Sequence, residues 1–215
     1  NTGRLKWWNA LYNQNTADVS KKLFRKTELL RYDPYEMNFN DGSGRYIQVG
    51  LADVADTGED FYSLVFAMYD QMTGNLYIND WVWSDEPSEI TIGLTAEAIL
   101  RLKPSCVTIE SNNGGRWYSQ LVQQALSTVN YYETGFEDMY TSSQKETKIL
   151  VGSSLVMSKC YFIKEEYIEI GSQYYLALNA LCSYEKGRKN LHDDAPDSMT
   201  SLAIKYCEGN SVQIF

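Results

Sequence analysis

With 215 residues, 44% hydrophobic and 22% charged, the chain has the profile of an ordinary globular protein that can bury a real core, most naturally one domain with an appendage. A formal net charge of -9 is opposite in sign to that of a dedicated nucleic-acid binder, so any grip on nucleic acid is expected to be weak or to come from a partner domain. No apolar run is long enough for a membrane span, and the N-terminus, NTGRLKWWNALYNQ, is unlike a secretory signal; lacking an initiator Met, it is expected to begin an excised fragment.

Residues 1–40 mix aromatics, Asn and basic residues with only a brief helical rhythm, and Pro34 punctuates their end. They do not look like part of the main layer and are expected to form a connector lying over a domain of residues 41–215. DGSG at Asp41 to Gly44 has turn or linker composition. Tyr46, Ile47, Val49 and Leu51 then make a buried strand that ends at Asp53, followed by a loop with Asp56, Gly58, Glu59 and Asp60. Phe61–Asp70 and Leu76–Asp85 are two further strands, joined by the turn QMTGN, so the three make an antiparallel meander. After a loop EPSEIT, Leu94–Leu102 is a short helix stopped by Pro104. CVTIE, Cys106 to Glu110, is a compact buried strand, and its place after a helix predicts parallel pairing.

Trp117, Leu121, Val122, Ala125, Leu126 and Val129 mark one face of a helix after SNNGG. YYETGFEDMY is ambiguous between strand and loop. Ser143–Ser158 is helical in pattern, although Gly152 weakens it, and Glu165–Cys182 contains another helix. The last helix begins at HDDAPDS and buries Met199, Leu202, Ala203 and Tyr206, with Pro196 in its first turn. Cys106, Cys160, Cys182 and Cys207 are widely spaced, which argues against a zinc site and for reduced, buried thiols.

Three acidic stretches stand at element ends: Asp53 with Asp60, Glu110, and Asp193, Asp194 and Asp197 of HDDAPDS. A carboxylate at the exit of a core strand is costly unless it is paired, and the cost is explained if it binds a cation. Phosphodiester hydrolysis with two divalent ions needs carboxylates on rigid, converging elements and few His or Cys ligands. Each stretch also has a plain explanation. The Asp53 loop has turn composition, Glu110 is able to pair with Arg116, HDDAPDS suits a helix start, and the single histidine, His192, is of the structural kind. The conjunction of three such acids decides for a site. Together with three strands, helix, strand, helix and further helices, it gives the order of a ribonuclease-H-like α/β fold, a central mixed sheet (antiparallel meander plus parallel strands) flanked by helices.

GLADVADTGED, TIESNNGGRWYSQLVQQAL, SQKETKI and HDDAPDSMTSLA, in that order, resemble the motif series of the nuclease domain of tailed-phage terminase large subunits. LYNQNTADVSKKLFRKTELLRY resembles the stretch joining the packaging ATPase to that nuclease. The resemblance implies a two-metal DNA endonuclease, using Mg²⁺ or Mn²⁺, that cuts concatemeric double-stranded DNA. It implies Asp53 as the ligand bridging both ions, Glu110 as the second acid and Asp194 as the favoured third, with Asp197 and Asp193 as further candidates and Asp60 orienting a water. It implies contacts from Lys145 and Lys148 to the scissile phosphate. It also implies a missing ATPase domain, the portal and the small terminase subunit as partners, no membrane, and action at the procapsid in the cytoplasm of an infected bacterial host. The P-loop motif is absent from these residues, and only Gly58 stands where the family often has a Gly-rich loop.

Arg116, Lys145, Lys148, Lys186, Arg188 and Lys189 are the main DNA-backbone candidates, together with Lys159 and Lys164, and EKGRKNLHDD sets three cations just before the acidic helix. No groove-reading element is evident, so recognition is expected to be through the backbone. Two other assignments remain at this point: another ribonuclease-H-like nuclease of resolvase type, and a non-catalytic docking module whose acids are solvated caps. Convergence of the acids separates the last from the first two.

Overall fold

The computed structural model describes residues 21–54, 61–110, 115–140, 144–190 and 192–208. In chain order the elements are β1 (Leu30–Tyr32), β2 (Tyr46–Asp53), β3 (Tyr62–Asp70), β4 (Asn75–Ser84), α1 (Ser88–Leu102), β5 (Cys106–Glu110), α2 (Gly115–Ser127), β6 (Gly135–Met139), α3 (Lys145–Lys159), β7 (Cys160–Ile163), α4 (Gln173–Ser183) and α5 (Asp194–Cys207). The strands form one seven-stranded sheet in the order β1-β7-β4-β3-β2-β5-β6. β2, β3 and β4 are the antiparallel meander. β5 pairs in parallel with β2, and β6 with β5, while β7 pairs in parallel with β4 and β1 with β7. This is the mixed, helix-flanked sheet of the ribonuclease-H-like class.

Strand alternation sorts the apolar side chains into two cores. Val49 and Leu51 of β2 and Val65 and Ala67 of β3 pack on one face with Ile149 and Val156 of α3, Leu178 of α4 and Met199 and Leu202 of α5. Ala52, Leu64, Phe66, Val107 and Ile109 pack on the other with Ile99 of α1 and Val122 and Leu126 of α2. A central sheet buried on both faces explains why β3 is buried along its whole length.

Two sequence expectations are corrected, one ambiguity is resolved and one strand lies where none was expected. Residues 21–40 are not separate from the main layer: Phe24 is fully buried in the first core and β1 joins the sheet as an edge strand. α1 starts at Ser88 rather than Leu94, because Pro87 stands just before the helix, where its missing N–H costs nothing. YYETGFEDMY resolves into edge strand β6, whose polar pattern conceals it from a hydrophobicity argument. β7 has no signature of its own in the sequence: its four residues follow α3 with no turn residue between them. The remaining strands and helices fall where the pattern sets them, except that α2 ends at Ser127 and leaves Trp117 and Val129 of its expected face exposed; all four cysteines are free. Among the described residues, no helix is long and apolar enough to cross a membrane.

Gly152, which weakens the helical pattern of α3, is there for packing. A Cβ at this position would lie 2.7 Å from Thr200 Cβ and 3.1 Å from Ile204 Cδ1 of α5, so the absent side chain lets the two helices close together. Ala is the better helix former by about 1 kcal/mol, but overpacking costs about 1–3 kcal/mol. Gly152→Ala is therefore expected to lower stability in urea unfolding, and Gly152→Val to lower it further; a Gly152→Ala protein more stable than wild type would contradict the close contact.

Candidate functional site

Period-two alternation aims the strand acids. β2 and β5 run in parallel with Ala52 beside Ile109, so the next residues, Asp53 and Glu110, end the two strands side by side. Asp53 shares the parity of Val49 and Leu51 and faces α5. Val107 and Ile109 face the other core, which turns Thr108 and Glu110 toward α5. Lys205 of α5 donates to Thr108 Oγ1 at 2.7 Å, and Ser201 donates to Glu110 Oε1 at 3.2 Å. The helix is fixed from below by Ser198 Oγ, 2.6 Å from Ser63 Oγ, which also accepts from Trp81 Nε1 at 3.0 Å. Gly115 completes the frame, since a Cβ there would lie 1.8 Å from the Glu110 carbonyl oxygen; only glycine lets α2 begin so close to β5.

One carboxylate oxygen from each of Asp53, Glu110 and Asp197 lies within 4.8 Å of the others. Asp194 is not in this group. Its Oδ1 accepts from Lys145 Nζ at 2.7 Å and its Oδ2 from the Phe61 N–H at 3.1 Å, so both oxygens are engaged in holding the site's frame. The third acid of the converging set is thus Asp197, not the sequence-favoured Asp194. The two differ by one helical turn, and sequence spacing places them on the same face without telling which one reaches the strand ends. Asp193 precedes α5 but makes no side-chain cap; it pairs with Lys145 at 2.8 Å. Asp60 and Asp56 lie outside the described residues.

Lys145 and Lys148 are drawn onto the acids rather than held out toward solvent. Lys148, 8% exposed, lies 2.6 Å from Glu110 Oε1 and 2.8 Å from Asp197 Oδ1, the latter an ion pair whose angles fall short of a hydrogen bond. Lys145 lies 3.4 Å from Asp53 Oδ2 and 3.9 Å from Asp197 Oδ2, besides its contacts to Asp193 and Asp194. Sequence reasoning assigns both lysines to phosphate and misses this pairing. Their i,i+3 spacing opposite an acidic helix start is the available signal.

Burial pushes the Asp53 carboxyl up to about 8; Lys145 opposes this, while Asp197, Glu110 and Asp194 add to it. Burial likewise raises Asp197 to about 6 against the pull of Lys148 and Lys145. Burial alone would lower both lysines, but the surrounding carboxylates override it and hold both above the usual lysine value. Asp53 Oδ2 is buried and accepts no hydrogen bond. An all-carboxylate donor set with an unsatisfied buried oxygen fits a hard divalent cation.

The remaining sequence candidates lie outside the cluster. Arg116 pairs with Asp138 at 3.2 Å, not with Glu110. Lys159 donates to the Thr73 carbonyl and Lys164 pairs with Asp33. Lys186, Arg188 and Lys189 are exposed on the loop that leads to α5, with Arg188 held to Glu185 at 2.8 Å. The His192 ring packs edge-on against Phe61, 4.7 Å between centroids.

A mixed sheet of this order, with carboxylates converging at the adjacent ends of β2 and β5 and at the start of α5, defines a domain of the ribonuclease-H-like class with a candidate metal site. Residues 52–160, just over half of the chain, match the family model described as "Terminase Bacteriophage T7, Ribonuclease H-like domain", and the chain belongs to that family. The matched span contains Asp53, Glu110, Lys145 and Lys148 and stops short of α5. Solved structures share the fold at low identity. The human cytomegalovirus terminase nuclease domain, Mn-soaked and inhibitor-bound, aligns with a TM-score of 0.61 at 14% identity over 87% of this chain and 96% of that one. The P22 large terminase nuclease domain aligns at 0.57, 10% identity, 86% and 91%. The large terminase nuclease of thermophilic phage G20c, with bound zinc, aligns at 0.52, 14%, 83% and 94%. No curated protein sequence matches the chain significantly.

Removing Lys148 leaves Glu110 and Asp197 without their buried cation, so Lys148→Ala is expected to cost the metal-free domain about 3–5 kcal/mol in urea unfolding. The raised Asp53 pKa sets the sign of a second outcome. The folded state holds this proton more tightly than the unfolded chain, so metal-free stability falls as pH rises from about 4 toward about 8. A cation competes with that proton. The rise in Tm on adding Mn²⁺ is therefore expected to be small near pH 5 and to grow toward pH 8; a rise independent of pH would remove Asp53 from the ligand set.

Proposed function

We propose that this chain is the metal-dependent DNA endonuclease domain of a viral DNA-packaging terminase, cutting concatemeric double-stranded DNA by two-metal hydrolysis with Mg²⁺ or Mn²⁺. The observation that carries it is the convergence of Asp53, Glu110 and Asp197, from three elements far apart in sequence, within 4.8 Å. A docking module gains nothing from placing three carboxylates against one another, where like charges at about 4 Å repel by about 4 kcal/mol at an effective dielectric of about 20. A bound pair of divalent ions would supply an activated water and stabilise the leaving oxygen.

In this assignment Asp53, Glu110 and Asp197 hold the metal, with Asp53 Oδ2 free of hydrogen bonds to receive it. Asp194 positions, fastening Lys145 and the Phe61 backbone. Lys148 stays buried and fixes the spacing of Glu110 and Asp197. Lys145, whose side chain is 35% exposed, is the cation available to the phosphate. The manganese soaked into the cytomegalovirus nuclease domain and the zinc bound by the G20c nuclease support divalent-ion use. The family description supports a packaging terminase, working with an ATPase domain, the portal and the small subunit at the procapsid in an infected bacterial cytoplasm. A resolvase-type nuclease has no observation of its own in its favour.

Cleavage of supercoiled plasmid tests the assignment. Nicking and linearisation are expected with Mn²⁺ or Mg²⁺, to stop in EDTA, and to fall to background in Asp53→Ala and Asp197→Ala. Asp194→Asn, which keeps an acceptor for one of its two donors, Lys145 or the Phe61 N–H, is expected to retain more activity than Asp197→Asn. Metal-dependent cleavage that survives in Asp53→Ala would overturn the site.

A further inference from the structure

Of the 19 lysines and arginines in this acidic chain, seven fall in two short segments, residues 21–26 and 186–189. They are far apart in sequence and adjacent in space. The Leu23 N–H donates to the Tyr184 carbonyl and the Lys186 N–H to the Lys21 carbonyl, each at 3.1 Å, around an antiparallel bridge between Lys22 and Glu185. Phe24, buried in the core, anchors the first segment. We propose that Lys21, Lys22, Arg25 and Lys26 join Lys186, Arg188 and Lys189 in one basic ridge that binds the phosphate backbone of duplex DNA beside the acidic site.

Charge and exposure carry the argument. Three acids temper the ridge: Glu28 on Arg25, Glu165 on Lys26 and Glu185 on Arg188. Lys21, Lys22, Lys186 and Lys189 are exposed, and among the described residues no acid lies within ion-pair distance of any of them. Lys22, Arg25 and Lys26 also line a cleft of about 320 Å³ with the polar side chains of Thr27 and Asn179, which offer donors to an anionic oxygen.

Location selects DNA as the partner. Lys189 precedes Asp193 by four residues, at most about 14 Å of chain, and Asp193 meets Lys145 at the acidic centre. A duplex turn is about 34 Å, so a strand engaged at the acids passes the ridge within half a turn. The centre itself repels phosphates until cations fill it, and the chain as a whole carries -9; a local positive ridge supplies the attraction that the rest of the surface lacks. Flexible lysines read backbone charge rather than base edges, so the contact is expected to be independent of sequence.

The proposal takes the identity of its partner from the nuclease assignment, so it is tested apart from cleavage. Binding of a fluorescent duplex of about 30 base pairs, roughly three helical turns, is measured by anisotropy in EDTA at several salt concentrations. The proteins are wild type, Lys21→Ala with Lys22→Ala, Lys186→Ala with Lys189→Ala, and the control Lys159→Ala at the far end of α3. Each double variant is expected to weaken binding and to reduce the salt slope by about two, one per lost phosphate contact, while the Lys159→Ala control leaves the slope unchanged. Circular dichroism of the variants checks folding, which these exposed side chains do not carry. Unchanged affinity and slope in folded double variants would overturn the ridge as a DNA surface and turn the search to an acidic protein partner. Slope loss in the double variants without any metal-dependent cleavage by wild type would uphold the ridge and defeat the nuclease assignment instead.

Discussion

The site depends on one buried arrangement, the Lys148 ammonium held between Glu110 and Asp197. Five carboxylates meet at the strand ends and the start of α5, and Lys145 and Lys148 are the two cations among them. Without Lys148, the desolvated acids of β5 and α5 would repel one another and oppose the apolar packing that closes α5 onto the sheet. With all five ionised, the two lysines would leave three negative charges uncompensated, and the metal-free site relieves part of that excess by holding a proton on Asp53. That residue of charge is what a divalent cation neutralises, so the same contacts that let the metal-free domain fold leave it short of cation.

Everything else positions that arrangement. Gly152 lets α3 approach α5 closely enough for Lys148 to reach both acids. The Ser63, Ser198 and Trp81 contacts set the height of α5 over the sheet, and Lys205 and Ser201 tie it to β5. Parallel pairing of β5 with β2 then brings Asp53 and Glu110 out at the same end. Each tie is ordinary packing or hydrogen bonding, and their sum is a rigid acidic pocket on regular elements instead of loops, as metal chemistry requires.

Charge is segregated over the molecule. The net charge of -9 belongs to the whole surface and says little about any one face, because screening confines surface fields to about 10 Å. The acids at the start of α5 follow the basic residues 186–189 by a few positions in the chain, and segment 21–26 pairs with residues 184–186; a total over the chain hides that contrast.

What the sequence determined by itself was the element order, the meander, the parallel return of CVTIE and the candidate acids, since hydrophobic periodicity and acids at element ends are local signals. Asp53 and Glu110 could be placed because a strand has a fixed parity and a definite end. Asp194 and Asp197 could not be told apart, because helical spacing gives a face but not the depth to which the helix is inserted. The tertiary structure decided that, by engaging both oxygens of Asp194 and carrying Asp197 to the strands. It also decided β1 and β7, which are too short to show a period and are made strands only by the neighbours that accept their hydrogen bonds. The pairing of Lys145 and Lys148 with the acids was likewise beyond the sequence: a charged side chain goes to whichever opposite charge folding brings within reach, and that distance is set by Gly152 packed against Thr200.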